Sequence, residues 1–262
     1  MASATAIAGV VVDQDDSDLA RTTVRRVSLR LLPFLFLSET QREWLVARLQ
    51  RDGDASSAPH GVPPLSVLAH PIVLLSSLLY FLAMTSHYGY LFWAPTIVRD
   101  ELHASSTAVG LITGGIACCA AGMMLVVGSS SDRNGERFFH AAACLALAAL
   151  GYVGAVLLAD PSARVASLAL VPAGVYGFLA PFWCLPSAIL RGAAAAAGIA
   201  FVNSFGNLGG FVGPYAFGAL KDATGSTTGA LLGLAMMALL AGVLCLVLRR
   251  QAAFAFRDRA SV

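Results

Sequence analysis

The sequence predicts an all-α membrane protein of six transmembrane helices, and three observations predict it. Hydrophobic residues make up 57% of the 262 positions and charged residues 12%, half the roughly 25% charged share of a soluble domain. Mean hydropathy is +0.73. From residue 71 onward, six segments of little or no charge alternate with short charged turns. Each segment has the roughly 20 residues that a helix needs to cross a bilayer. No stretch alternates as a strand would, and no soluble catalytic domain is visible.

Residues 1–37 are atypical. The first twenty or so read as disordered, and Ala2 to Val12 lacks the basic start of a signal peptide and runs into Asp13, Asp15 and Asp16. Membrane entry is therefore expected from the internal spans. The apolar end of Val24 to Leu37 is too short to span. Residues 38–70 read as a cytoplasmic amphipathic helix and linker. Ser38 is a plausible N-cap, and Trp44, Leu45 and Leu49 form a narrow apolar face over Ser38–Asp52. Gly53 to Pro64, rich in Gly, Ser and Pro, is the linker.

The six-helix bundle occupies residues 71–248, as Pro71–Val98, Ala104–Ser131, Phe138–Ala159, Val165–Leu190, Gly192–Leu220 and Ala223–Leu248. Residues 249–262 form a cytoplasmic tail. With the termini, the Ser129–Arg137 turn and Arg191 on one side, only Arg99, Arg164 and Lys221 of the 17 basic residues lie on the other. Such an asymmetry places both termini in the cytoplasm of a cell-membrane protein.

Net charge is +2, which gives no reason to expect nucleic acid or an acidic partner. The five cysteines fall in apolar runs without CxxC pairing or zinc spacing. They read as small apolar residues, and no metal or cofactor is expected.

Four stretches carry the candidate chemistry. The first span holds Tyr80, His87, Tyr88, Tyr90 and Trp93, and His87 is the one residue of the Asp, Glu, Lys, Arg and His set deep in any span. A midplane His carries a proton, binds an anion, or bonds to a neighbouring helix as a neutral group. Tyr90 and Trp93 fit either a substrate slot or an interfacial aromatic belt. The string SDRNGERFFH packs Asp132, Arg133, Glu136 and Arg137 into a tight turn on Asn134-Gly135. Its alternating signs favour a conformational latch over a merely solvated turn.

PFWCLPS sets Pro181 and Pro186 inside a span, where each removes a backbone donor and kinks the helix. Trp183 and Ser187, four apart, share a face there, with simple packing as the alternative for Trp183. Finally, Ala193 to Leu220 has no charged residue or His and is rich in glycine. Gly206-xxx-Gly210 and Gly209-xxx-Gly213 are small-xxx-small pairs that let helices approach closely. Asn203 and Asn207 share one face, and an amide in lipid needs a polar partner or a substrate. Gly213-Pro214 is expected to bend this helix near its outer end.

The strings SDRNGERFFH, GIAFVNSFGNLGGFVGPY, YFLAMTSHYGYLFWAPTIV and SETQREWLVARL occur in an order that resembles the anion:cation symporter branch of the major facilitator superfamily, over about Leu37 to Leu248. The resemblance implies the C-terminal six-helix half of a transporter of organic anions, such as sugar acids and tartrate- or phthalate-like carboxylates, usually with coupled H+. It implies that Asn203 and the Trp183–Ser187 face approach the substrate and that SDRNGER is the cytoplasmic gating motif. The family's anion-binding arginine and coupling carboxylates would belong to a missing N-terminal six-helix half, and Arg191 stands where the family usually keeps an uncharged residue.

The substrate-facing candidates are thus His87, Tyr88, Trp183, Ser187, Asn203 and Asn207, and the gating candidates Asp132, Arg133, Glu136 and Arg137. The expected partners are the lipid bilayer, a small organic anion, H+, and either the missing half or a second copy of the chain. The alternatives are an inactive truncated remnant or a non-transport membrane scaffold. An intramembrane enzyme would need a catalytic pair or metal ligands facing each other, and the spans offer neither.

Overall fold

The computed structural model describes residues 68–189 and 192–260, and among them every regular element is a helix. The expected N-terminal segment, the amphipathic helix of 38–52, its linker and Arg191 lie outside the described residues. Eight helices follow in order: α1 (Pro71–Leu102), α2 (Ser106–Asn134), α3 (Phe138–Leu157), α4 (Pro161–Leu168), α5 (Leu170–Ile189), α6 (Gly192–Asn207), α7 (Gly209–Thr224) and α8 (Thr228–Ala260).

Their ends follow from local chemistry. Pro71 opens α1 where a missing N–H costs nothing, and His70 caps it by accepting from the Ile72 N–H. Ser105 caps α2 through the Ala108 N–H, and Asp160, followed by Pro161, caps α4 through the Ala163 N–H at 2.8 Å. Gly135 and Gly225 end α2 and α7 in the left-handed conformation that glycine adopts without a Cβ clash.

Five segments are long and apolar enough to cross a membrane: α1, α2, α3, α4 with the first part of α5 (Pro161–Leu185), and α8 from Thr228 to Gln251. The remaining expected span, Gly192–Leu220, differs. It is divided at Leu208 into α6 and α7, each of 16 residues, or about 24 Å long. Leu208 itself keeps right-handed helical dihedrals, so the chain does not turn. The hydrogen-bond ladder changes instead, with Leu208 donating to Phe205 O and Phe211 donating to Leu208 O. Just before the break, the Asn207 amide donates to the Asn203 carbonyl at 2.8 Å, a side-chain insertion of the kind that interrupts a helix. The break thus sits at Asn207-Leu208 rather than at Gly213-Pro214, where the outer bend was expected. By contrast, α5 continues through Pro181 and Pro186 as one helix.

Among the described residues, α1 is the hub, packed against α6, α7 and α8, while α3 lies between α5 and α8. Its lower core brings Leu79 and Ala83 of α1 against Leu145 and Ala148 of α3, Phe178 and Phe182 of α5 and Ala238 of α8. Farther along, Tyr90, Tyr152, Val171, Phe217 and Leu234 form a second cluster. Close backbone approach explains the glycines. A Cβ on Gly213 would collide with the Thr85 carbonyl of α1, and one on Gly174 with the Cys144 carbonyl of α3. Small residues at such crossings let helices gain van der Waals contact that lipid cannot supply.

One helix stands apart. α2 rests mainly on α5, and only Val109, Ala120 and Ser131 of its 29 residues are buried.

Candidate functional site

The structure divides the substrate-facing candidates into three groups around α1. The first is a chain of polar side chains between α1 and the α6–α7 junction. The Tyr88 hydroxyl donates to Asn207 Oδ1 at 3.4 Å, and Asn207 Nδ2 donates to Asn203 Oδ1 at 2.8 Å. The four-residue spacing on α6 does place the two amides on one face, as expected. Both are exposed, and Gly210 leaves room beside the Tyr88 ring. The result is a ladder of hydroxyl and amide groups on an otherwise apolar wall.

The second group surrounds His87. It is 5% exposed, and its Nδ1 has no hydrogen-bond partner. The Tyr176 ring of α5 meets it edge-on, with centroids 5.3 Å apart and planes at 90°, and the Tyr88 ring lies at 5.5 Å. His87 opens on a cavity of about 370 Å³ between α1, α2 and α5. Sequence reasoning missed Tyr176, because one tyrosine in an apolar span reads as packing.

The third group is aromatic. Trp183 meets Tyr80 at 5.0 Å and Phe182 at 5.2 Å, and Tyr80 stacks on Phe182. Trp183 therefore packs against the lower core. Ser187 lies on α5, but its side chain falls outside the described residues.

Tyr90 and Trp93, left open between slot and belt, part company. Tyr90 is buried against Tyr152, whose hydroxyl donates to Ser86 O at 2.6 Å. Trp93 donates from Nε1 to Pro214 O, stacks on Phe217 and lies under the Lys221 ammonium at 4.8 Å, as a residue near the end of a span does.

At the α2–α3 turn, Arg137 pairs with Asp132 at 3.4 Å. Glu136 is placed otherwise than a charge latch would need. Its Oε2 accepts from the backbone N–H of Phe139 at 2.8 Å and of His140 at 3.3 Å, so it caps α3. His140 also contacts Glu136 through Nδ1 and Ser130 through Nε2. Arg133 is exposed beside a shallow groove lined by Leu125, Val126 and Ser129. At the opposite end, Arg164 donates twice to the Glu101 carboxylate at 2.9 and 3.1 Å, tying α4 to α1.

Five long apolar segments packed against one another define the class, a multi-pass membrane protein. Residues 46–259 match the Major Facilitator Superfamily, and the chain belongs to that family, a family of transporters rather than enzymes. It is 38% identical over 218 residues to a putative tartrate transporter of Agrobacterium vitis, covering 83% of this chain and 50% of that protein. It is 34% identical over 204 residues to a quinolone resistance transporter of Acinetobacter baumannii, covering 78% of this chain and 47% of that one. The chain spans about half the length of the curated relatives it matches.

Proposed function

We propose that the chain supplies the C-terminal six-helix half of a transporter that carries a small organic anion together with H+ by alternating access. The observation that carries this reading is the Tyr88–Asn207–Asn203 ladder. Three polar groups in apolar spans are costly unless a partner repays their desolvation, and a substrate's carboxylate or hydroxyl groups would be that partner. The names of the similar proteins, among them tartrate transporters, support an anionic cargo.

In this reading His87, Tyr88, Trp183, Ser187, Asn203 and Asn207 form the polar wall on one side of the path. A second six-helix half forms the other. No Asp, Glu, Lys or Arg lies within the interior of a described span, so the second half provides the charged groups that bind the anion and pass the proton; a second copy of the chain in its place would bring no such charged groups and would favour facilitated diffusion. Division of a helix beside the substrate is a recurring device of transporters, and the Leu208 break fits it. The Asp132–Arg137 pair closes the cytoplasmic end in the outward-open state with Arg133 beside it, while Glu136 holds the start of α3 in register. Both termini face the cytoplasm.

Substituting Asn203 tests the proposal. In a complete two-half transporter, Asn203→Ala should reduce organic-anion uptake by about tenfold, a 1.4 kcal/mol effect, while membrane insertion stays intact. Unchanged uptake removes Asn203 from the path.

A further inference from the structure

The amide ladder has a direction, and the backbone sets it. The oxygen and nitrogen of a side-chain amide are told apart by what each one bonds. The Asn207 atom 2.8 Å from the Asn203 backbone carbonyl has to be the nitrogen, since a carbonyl only accepts. The same nitrogen gives its second hydrogen to Asn203 Oδ1, also at 2.8 Å. Asn207 Oδ1 is then left facing Tyr88. An amide oxygen cannot donate, so the Tyr88 hydroxyl turns its one hydrogen toward it, at 3.4 Å.

The groups left over are unlike at the two ends. Both Asn207 N–H groups and the Tyr88 O–H are engaged within the ladder, so that end offers only lone pairs, on Tyr88 Oη and Asn207 Oδ1. At the other end Asn203 Oδ1 is engaged, while Nδ2 makes no hydrogen bond among the described residues and keeps two donors. Asn203 and Asn207 stand about 6 Å apart along the α6 axis. Both are exposed, which leaves the unused groups open to a solute.

We propose that the ladder takes its substrate in one orientation. An oxyanion of the substrate accepts from Asn203 Nδ2, and an O–H or N–H of the same molecule donates to Tyr88 Oη and Asn207 Oδ1. Asn207 sets this polarity, because its nitrogen is committed to the Asn203 carbonyl. Turning that amide over would bring two oxygens together and break the ladder. An ether or carbonyl of the substrate at the Tyr88 end would set acceptor against acceptor and leave both unpaired. The inference rests on the transport reading above and adds which substrate group meets which residue.

Two measurements test it. The chain has three asparagines, Asn134, Asn203 and Asn207, so isotopically labelled asparagine gives few side-chain amide signals by NMR in lipid nanodiscs. The Asn207 amide hydrogens should exchange with heavy water about tenfold more slowly than those of Asn203, as bonded groups do beside free ones. Equal rates, or faster exchange at Asn207, would overturn the polarity. In a complete two-half transporter, malate, whose hydroxyl donates, should be taken up about tenfold better than methoxysuccinate, whose ether only accepts. Asn207→Leu removes the acceptor and frees the Tyr88 O–H to meet an ether, so the two uptakes should come within about twofold of each other. A merely structural role for Asn207 would lower both and keep their ratio. Malate taken up no better than methoxysuccinate, or a ratio unchanged in Asn207→Leu, overturns this inference and leaves the transport reading standing. A two-half form that takes up no organic anion ends the transport reading and this inference with it.

Discussion

Asn207 does two things at once: it accepts from Tyr88 across the α1–α6 contact and donates to Asn203 along its own helix. Tyr88→Phe and Asn207→Ala, measured singly and together by uptake in a two-half transporter, should be non-additive by about 0.5–1.5 kcal/mol. Strict additivity would mean that the 3.4 Å contact does not matter for transport. The pairing of Asn203 with Asn207 was legible in the sequence, because four-residue spacing fixes a shared helix face. The Tyr88 partner was not, since 119 positions separate it from Asn207 and only packing brings them together. Glu136 shows the opposite failure. An acid among arginines suggested a latch, but its place three residues before Phe139 is where a carboxylate reaches the first free N–H groups of a helix. Glu136→Ala should lower the thermal stability of the chain by about 1 kcal/mol, whereas Asp132→Asn, in a pair whose Asp side chain is 70% exposed, should cost well under that.

At the level of the helix, glycines that look alike in the sequence play different parts. Gly213 sits against the Thr85 carbonyl, so Gly213→Ala should push α7 from α1 and destabilise the bundle by about 1–3 kcal/mol. Gly114 faces open space, and Gly114→Ala in the isolated chain should change stability by no more than about 0.5 kcal/mol. Melting curves of the two variants in the same detergent make the comparison, and equal losses would contradict the packing described. Five spans were legible because long apolar runs bounded by charges leave little choice in lipid. The remaining one, Gly192–Leu220, was legible as an apolar segment but not as two helices, because its break depends on an amide bonding back to a carbonyl. The prolines of α5 were expected to kink it, and both lie within one continuous helix.

For the molecule as a whole, α2 poses the clearest question. A 29-residue apolar helix with three buried residues forms one wall of the His87 cavity and otherwise presents a free face. The exposed amides of α6 lie beyond the same hub helix, α1. Both features are accounted for if this bundle meets a second set of six helices across a substrate path, and the chain's span of about half its relatives' length agrees with that. The class of fold and the family could be read from the sequence, since hydropathy and four ordered strings carry them. The division of the candidate residues into an amide ladder, a His87 cavity and an aromatic core could not, because it depends on which face of each helix turns toward α1.

The most direct measurement is uptake of a labelled dicarboxylate into proteoliposomes, under an imposed proton gradient, with this chain alone and with this chain joined to an N-terminal six-helix half from a relative. The account predicts saturable, gradient-dependent uptake with both halves, lost on Asn203→Ala, and none by the monomeric chain. Equal saturable uptake by the monomeric chain alone would contradict it.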